Sequence, residues 1–282
     1  MCRLFGFRSI IQSQVHHSLV SAENALEVQS NRHPDGWGVC YYIAGSPHLI
    51  KSEKTAVNDS IFKTVSGVVS SETVIAHIRN ATLGKVSLLN THPFQYGPWV
   101  FAHNGNIKNF DKFKDQLLDE IKPRFKRFIL GSTDSELLFY FLLSDLDDVT
   151  DTTKLDCSIE VLQASIKKSI KKLTSIVGDY CPHDEGKNTE TYLTFLLTNG
   201  STMVAHQGGK KLYYSTFKVK CVERDTCPHF SVECEAPTVT GKVNHLIFSS
   251  EPLHGENTWI PLELGQLIGV DSEMKLSISS SN

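Results

Sequence analysis

Residues 158–177 carry their apolar side chains on one side only. Ile159, Leu162, Ile166, Ile170, Leu173 and Val177 recur at steps of three and four, which predicts a helix with a single apolar stripe. Such a helix needs a flat apolar partner. The segments around it supply candidates in the form of short β-branched and aromatic runs. Residues 2–7, Trp37–Ile43 (after the turn at 33–36), Thr73–Ile78 and Trp99–Ala102 read as strands, as do Leu193–Thr198, Met203–His206, Leu212–Phe217, His245–Ser249 and Gln266–Val270. Helical spacing is also expected over 19–31, Phe110–Ile121 and Ser135–Leu143. Turn pairs Asn199–Gly200 and Gly208–Gly209 suggest hairpins. Helices interleaved with hairpin-linked strands predict an α+β layered fold. No repeat or linker interrupts it, so a single domain over 2–271 is expected, with a frayed tail over 272–282.

Composition narrows the function classes. The chain has 40% hydrophobic and 21% charged residues, enough apolar material for a core. A net charge of -3 argues against nucleic-acid binding. Lys167, Lys168, Lys171 and Lys172 form the polar face of the long helix, read as a solvated face rather than a partner site. No apolar run approaches the ~20 residues of a membrane span, and the N-terminus lacks a secretory pattern. Seven cysteines make an odd number, which fits a reducing, cytoplasmic setting. Cys221, Cys227, His229 and Cys234 cluster, but C-x5-C-x-H-x4-C is not a usual zinc spacing, so no metal and no cofactor is expected. Buried free thiols are the expectation for these, for Cys181, and for Cys40 and Cys157.

The chemistry begins at Cys2. A small second residue permits removal of Met1, which gives Cys2 a free α-amine. A thiol with pKa ~8.5 beside an α-amine of ~7.7–8.0 is a nucleophile with its own base. Four further segments bear polar groups suited to an amino-acid ligand. In 77–84, Arg79 follows a strand and can clamp a carboxylate with two parallel hydrogen bonds. In 90–94, His92 is a candidate ligand contact. In 102–106, Asn104 offers a side-chain donor and Gly105 a backbone donor, a pair able to hold an oxyanion. In 131–136, Asp134 precedes a helical run and could hold an ammonium group. Each has a plainer reading: a salt bridge for Arg79, a turn for Asn104–Gly105, a helix N-cap for Asp134.

Read in order, Cys2-Arg3-Leu4-Phe5-Gly6, HIRNATLG, NTHPF, HNGNI and STDSE resemble the class II glutamine amidotransferases over roughly residues 2–270. The segments DGWG (35–38) and SSEPL (249–253) are closer to the stand-alone branch, which includes γ-glutamyl hydrolases. The resemblance implies an N-terminal-nucleophile hydrolase fold, a four-layer αββα sandwich of mainly antiparallel sheets. It implies Cys2 as nucleophile, Asn104 and Gly105 at the oxyanion, and Arg79, His92 and Asp134 as substrate contacts. His77 and His103 are expected to pack behind them. Asn80 departs from the bulky residue that synthase relatives carry after the arginine, which puts the pocket wall in doubt. The implied substrate is glutamine or a γ-glutamyl amide. No synthase domain follows in these residues, so a hydrolase acting alone, a subunit passing ammonia to a separate synthase and a non-catalytic amino-acid-binding module stay open. So do the leaving group and any homo-oligomer.

Overall fold

The computed structural model describes residues 2–184, 189–221, 224–238 and 241–280. The chain opens with β1 (Arg3–Gln14). A π-helical turn (His17–Ser21) and α1 (Leu26–Gln29) lead to β2 (Trp37–Ile43), β3 (Ser46–Ser52), α2 (Ser60–Val68) and β4 (Ser70–Ile78). β5 (Phe94–Tyr96) and β6 (Trp99–Asn106) follow. Then come α3 (Phe110–Asp119), α4 (Pro123–Lys126), α5 (Asp134–Leu146) and α6 (Ile159–Val177). The remainder is β-rich: β7 (Tyr192–Thr198), β8 (Met203–His206), β9 (Tyr213–Ser215), β10 (Gly241–Lys242), β11 (His245–Ser249), β12 (Ile260–Pro261), β13 (Gln266–Val270) and β14 (Lys275–Ser280).

The strands form two seven-stranded sheets, ordered β12-β9-β11-β1-β4-β2-β3 and β10-β14-β13-β8-β7-β6-β5. Period-two alternation explains the stacking. Leu4, Cys40 and Ile75 of the first sheet meet Val100, Ala102, Leu196 and Ile268 of the second. Phe5, Trp37, Val39 and Ala76 point the other way, onto Leu19, Leu26 and Phe62. On the far side of the second sheet, Phe101, Phe195 and Leu197 pack on the stripe of α6 and on α5. The result is the expected four-layer αββα sandwich. Gly6 lets the sheets close up, because a Cβ there would stand 2.9 Å from Leu196 Cδ1. The lysine face of α6 is partly neutralised within the molecule: Lys168 lies 3.5 Å from Asp148, and Lys172 lies 2.7 Å from Glu120.

Several sequence expectations are corrected. Residues 19–31 are not one helix. Ala22 is extended and Ala25 non-helical, and from Ser30, whose Oγ accepts from Val57 N–H at 3.0 Å, the chain tightens into a 3-10 turn. Packing on the first sheet outweighs local helix propensity there. Gly208–Gly209 is not a hairpin turn, because the chain crosses from β8 in one sheet to β9 in the other. Asn199–Gly200 does close a hairpin, with Asn199 Oδ1 accepting from Ser201 and Thr202 N–H. The tail is not frayed over 275–280. Leu276 is buried, and the segment pairs with β13 from Val270↔Leu276 to Gln266↔Ser280. Alternation carries that strand even though serines dominate it. Residues 281–282 lie outside the described residues.

Candidate active site

Strand register brings the motifs together. β1 runs antiparallel to β4 with Arg3 opposite Ile78, so Cys2 meets the residues that follow β4. Asn80 N–H donates to Cys2 Sγ at 3.3 Å, and the thiol points at Asn80 O at 3.5 Å. Burial pushes the Cys2 thiol up, against the pull of the Asn80 contact and the Arg79 charge. The start of β1 is held from its other side by the end of β11. Ser250 Oγ accepts from Leu4 N–H at 2.9 Å, and Ser250 N–H donates back to Leu4 O at 3.0 Å. Arg3 is ion-paired with Glu251 and also donates to Cys2 O at 3.3 Å. The SSEPL segment is thus the clamp on the strand that Cys2 precedes. Met1 lies outside the described residues.

Arg79 sits just past β4 and is 3% exposed. Its N–H donates to Gly36 O at 2.8 Å. Asp35 accepts from Ala81 N–H at 2.8 Å, so the DGWG segment shapes the turn after the arginine. The guanidinium donates to Leu83 O at 3.1 Å and Lys85 O at 3.2 Å. Among the described residues no carboxylate forms an ion pair with it, so the salt-bridge reading does not hold. Burial lowers its pKa, while Cys2 and Asp35 oppose that. The next residue, Asn80, is the one in contact with the Cys2 thiol.

Asn104 and Gly105 are not a turn. Both lie inside β6, opposite Thr194 and Leu193 of β7. Asn104 is buried and its Oδ1 has no hydrogen-bond partner. It lines a cleft of about 310 Å³ together with Arg3, Lys210, Ser250 and Glu251. Gly105 is required by close approach: a Cβ would stand 2.1 Å from Tyr192 O. Asp134 is the first residue of α5 but not its cap. Thr133 caps the helix, its Oγ1 accepting from Glu136 N–H at 3.3 Å. Asp134 accepts from Ile107 N–H at 2.6 Å and Ser135 N–H at 2.8 Å, tying the end of β6 to α5. Burial raises its carboxyl to about 6.

The histidines sort differently. His92 does not line the cleft. It is buried, with its ring 4.2 Å from that of His77 and 4.6 Å from Phe94. Burial lowers its pKa well below the usual value, so it stays neutral. His77 reaches His103 O at 3.2 Å, across the two sheets. His103 joins Ser135 Oγ and Tyr192 O, each at 2.9 Å. The His77 and His92 rings pack on each other, while the His103 ring lies on the α5 face of the second sheet, stacked on Phe101. In the NTHPF segment the busier residue is Asn90, which sequence reasoning passed over. Its Nδ2 donates to Lys85 O at 3.0 Å, and its Oδ1 accepts from Ser132 N–H at 2.8 Å. It ties the arginine loop to the loop before α5. Lys210 was also missed, because nothing near Gly208–Gly209 marks it.

The cysteine cluster stands apart. Cys221, Cys227, His229 and Cys234 border a separate cleft of about 930 Å³. All seven cysteines are free, and no group of side chains suited to a metal occurs among the described residues. No described helix is long and apolar enough to cross a membrane.

Comparison with known proteins decides the family. The class-II glutamine amidotransferases match residues 1–281. The chain belongs to that family. A probable glutamine amidotransferase of Saccharomyces cerevisiae is 32% identical over 225 residues, covering 72% of this chain and 62% of its own length. A γ-glutamyl-hercynylcysteine sulfoxide hydrolase of Mycobacterium tuberculosis is 31% identical over 117 residues, covering 38% of this chain and 50% of that one. Among solved structures, a glutamine aminotransferase class-II domain protein from Silicibacter pomeroyi aligns over 99% of this chain and 98% of its own, with TM-score 0.62 and 20% identity. That likeness shows the shared fold.

Proposed function

We propose that the chain cleaves the γ-glutamyl amide bond of glutamine or a γ-glutamyl compound through a thioester on Cys2. The observation that carries this reading is the buried Arg79, without a carboxylate ion-pair partner among the described residues, one position before Asn80, whose N–H donates to Cys2 Sγ at 3.3 Å. A buried cation is costly unless an anion completes it. The α-carboxylate of a glutamyl ligand does so, and it leaves the γ-amide facing the thiol. Asp134 suits the ligand's ammonium group. Asn104 suits the oxyanion, since its side-chain amide can donate into the cleft that it lines.

The raised thiol pKa makes a base necessary. With Met1 removed, the α-amine of Cys2 takes the thiol proton as sulfur bonds to the amide carbon. The carbonyl electrons move to oxygen, return, and expel the nitrogen, which takes the proton from the amine. Water then adds to the thioester with the same base, releasing glutamate and restoring the thiol. The free thiols along the chain suit a cytoplasmic setting. Treatment with the glutamine analogue diazo-oxo-norleucine tests the reading. One adduct on Cys2, in protein whose intact mass lacks Met1, is expected. A folded, Met1-free protein that stays unlabelled overturns it and leaves a non-catalytic amino-acid-binding module.

A further inference from the structure

With Met1 removed, as the proposed function requires, Cys2 is the first residue of the chain. A first residue is loosely tied, because no peptide bond precedes it. Two torsions then place its reactive groups. The ψ angle swings the α-amine and the side chain together about the Cys2 carbonyl, and χ1 sets the sulfur beside the amine. Each torsion is met by one contact. Asn80 N–H donates to Cys2 Sγ at 3.3 Å, which holds χ1. Arg3 Nη1 donates to Cys2 O at 3.3 Å, which holds the carbonyl plane and so ψ. With both held, the direction of the amine is determined.

Arg3 has a long, rotamer-rich side chain, and its grip on Cys2 O depends on what steadies it. Strand register supplies Glu251. Phe5 pairs with Ser249, Leu4 and Ser250 exchange hydrogen bonds, and the next position on each strand brings Arg3 to Glu251. One carboxylate oxygen of Glu251 accepts from Arg3, and the other lies 3.7 Å from the Arg32 guanidinium. A carboxylate caught between two guanidinium groups has a set orientation. Its backbone is set too: Glu251 N–H donates to Ser249 Oγ at 3.4 Å, and the carbonyl of the next residue, Pro252, accepts from Asn24 Nδ2 at 2.8 Å.

We infer that Glu251 is a positioning residue for the Cys2 α-amine: through Arg3 it fixes the Cys2 carbonyl, and so aims the base at the thiol. This rests on the proposed amidase function and names the device that orients its base.

The test uses the purified, Met1-free full chain. Hydrolysis of glutamine or γ-glutamyl p-nitroanilide, whichever turns over faster, is measured beside inactivation by diazo-oxo-norleucine. In Glu251→Ala, kcat and the limiting inactivation rate are expected to fall about 10–100-fold, the size of an ångström-scale misplacement. KM and the half-saturating inhibitor concentration should stay within about twofold, because Arg79 and Asp134, which the proposed function gives the glutamyl end, are untouched. Glu251→Gln has the same shape and keeps an acceptor oxygen for Arg3, so it should recover most of the loss. Arg3→Ala should match Glu251→Ala, and the double variant should be no worse than either single, since both act through one contact. A loss under twofold in Glu251→Ala, a loss carried by KM, no recovery in Glu251→Gln, or losses that multiply in the double variant would each overturn the inference. If wild type and Glu251→Ala are labelled at Cys2 equally fast, the positioning role alone falls. If folded wild type is not labelled at all, the amidase reading falls.

Discussion

Two regions of this molecule bear free thiols, and they are built in opposite ways. At one end of the sandwich a single thiol is met by Asn80, far away in sequence. In the segment 218–244, three thiols and a histidine lie close in sequence and border one cleft, yet among the described residues they make no group suited to a metal. At the first, each group is set by strand register: Arg3 opposite Ile78, Asn104 opposite Thr194. At the second, the groups are held by local loop contacts. Cys221 N–H donates to Glu235 at 2.7 Å, and Asn244 Nδ2 lies 3.0 Å from Cys234 Sγ. Val219 and Val232 beside them are 80% and 74% exposed. The lesson is that convergence through a sheet makes a site, whereas crowding along a chain does not.

The sharpest way to break the comparison is at the thiol. Cys2→Ala is expected to lower amidase kcat by about 10⁴-fold or more, since nucleophile and base are lost as one unit. Far-UV circular dichroism should be unchanged, because Cys2 precedes β1 and its carbonyl contact to Arg3 survives. Asn104→Ala should lower kcat by about 10²–10³-fold with little change in KM, as removal of one oxyanion donor does. If KM moves instead, Asn104 binds the ground state and the oxyanion assignment fails. Arg79→Lys keeps the charge and loses the planar fork. We expect KM to rise about 10–100-fold for substrates with an α-carboxylate, together with loosening of the 83–85 loop that the guanidinium holds. Limited proteolysis reads that loosening separately from steady-state kinetics.

Much of the fold was legible because its strands alternate or run apolar. β2, β8, β11 and β13 coincide with the expected segments, and α6 differs by its capping Ser158 alone. What failed did so for tertiary reasons. The segment 19–31 is broken by packing on a sheet, and β14 is recruited by β13 rather than by its own composition. At the site, Cys2, Arg79 and Asn104 were legible as residue types that do chemistry. His92 was legible as a residue type, but its sequence segment does not reveal that its ring faces His77 with both nitrogens unpartnered. Asn90, Ser250 and Lys210 were invisible for a related reason. Their partners lie 5, 42, 246 and 26 positions away, and only folding brings the distant ones into contact.

Acid titration sharpens the contrast further, because the converging site contains a carboxyl raised by burial. Asp134 titrates at about 6 in the folded chain. Its ordinary value is lower, so the folded state holds this proton more tightly than the unfolded one. Its contribution to stability is therefore present in acid and lost as pH rises through about 6. Ligand binding has the opposite sign, since an ammonium group needs the carboxylate. The inhibition constant of a competitive amino-acid ligand should weaken by up to about tenfold per pH unit below about 6, and the dependence should flatten in Asp134→Asn. The same variant, measured by thermal melts, should lose its disadvantage relative to wild type as pH is raised. Two opposed trends from one residue are hard to obtain from a carboxyl that merely caps a strand end.

The smallest effect is expected in the cysteine segment, and it bears most directly on the contrast. Cys227→Ser and Cys234→Ser remove thiols that are only partly buried and that serve loop contacts alone. Both should leave kcat/KM within about twofold and stability within about 0.5 kcal/mol, the usual range for surface substitutions away from special features. The reason is geometric. The segment borders its own cleft, which shares no lining residue with the cleft at Asn104. A tenfold loss of amidase activity in either variant would mean that the two regions are coupled through β1 or β11, whose residues Phe7 and Ile247 line the cysteine cleft and whose far ends hold Cys2. The site would then extend through the first sheet, and strand register would be transmitting strain as well as position.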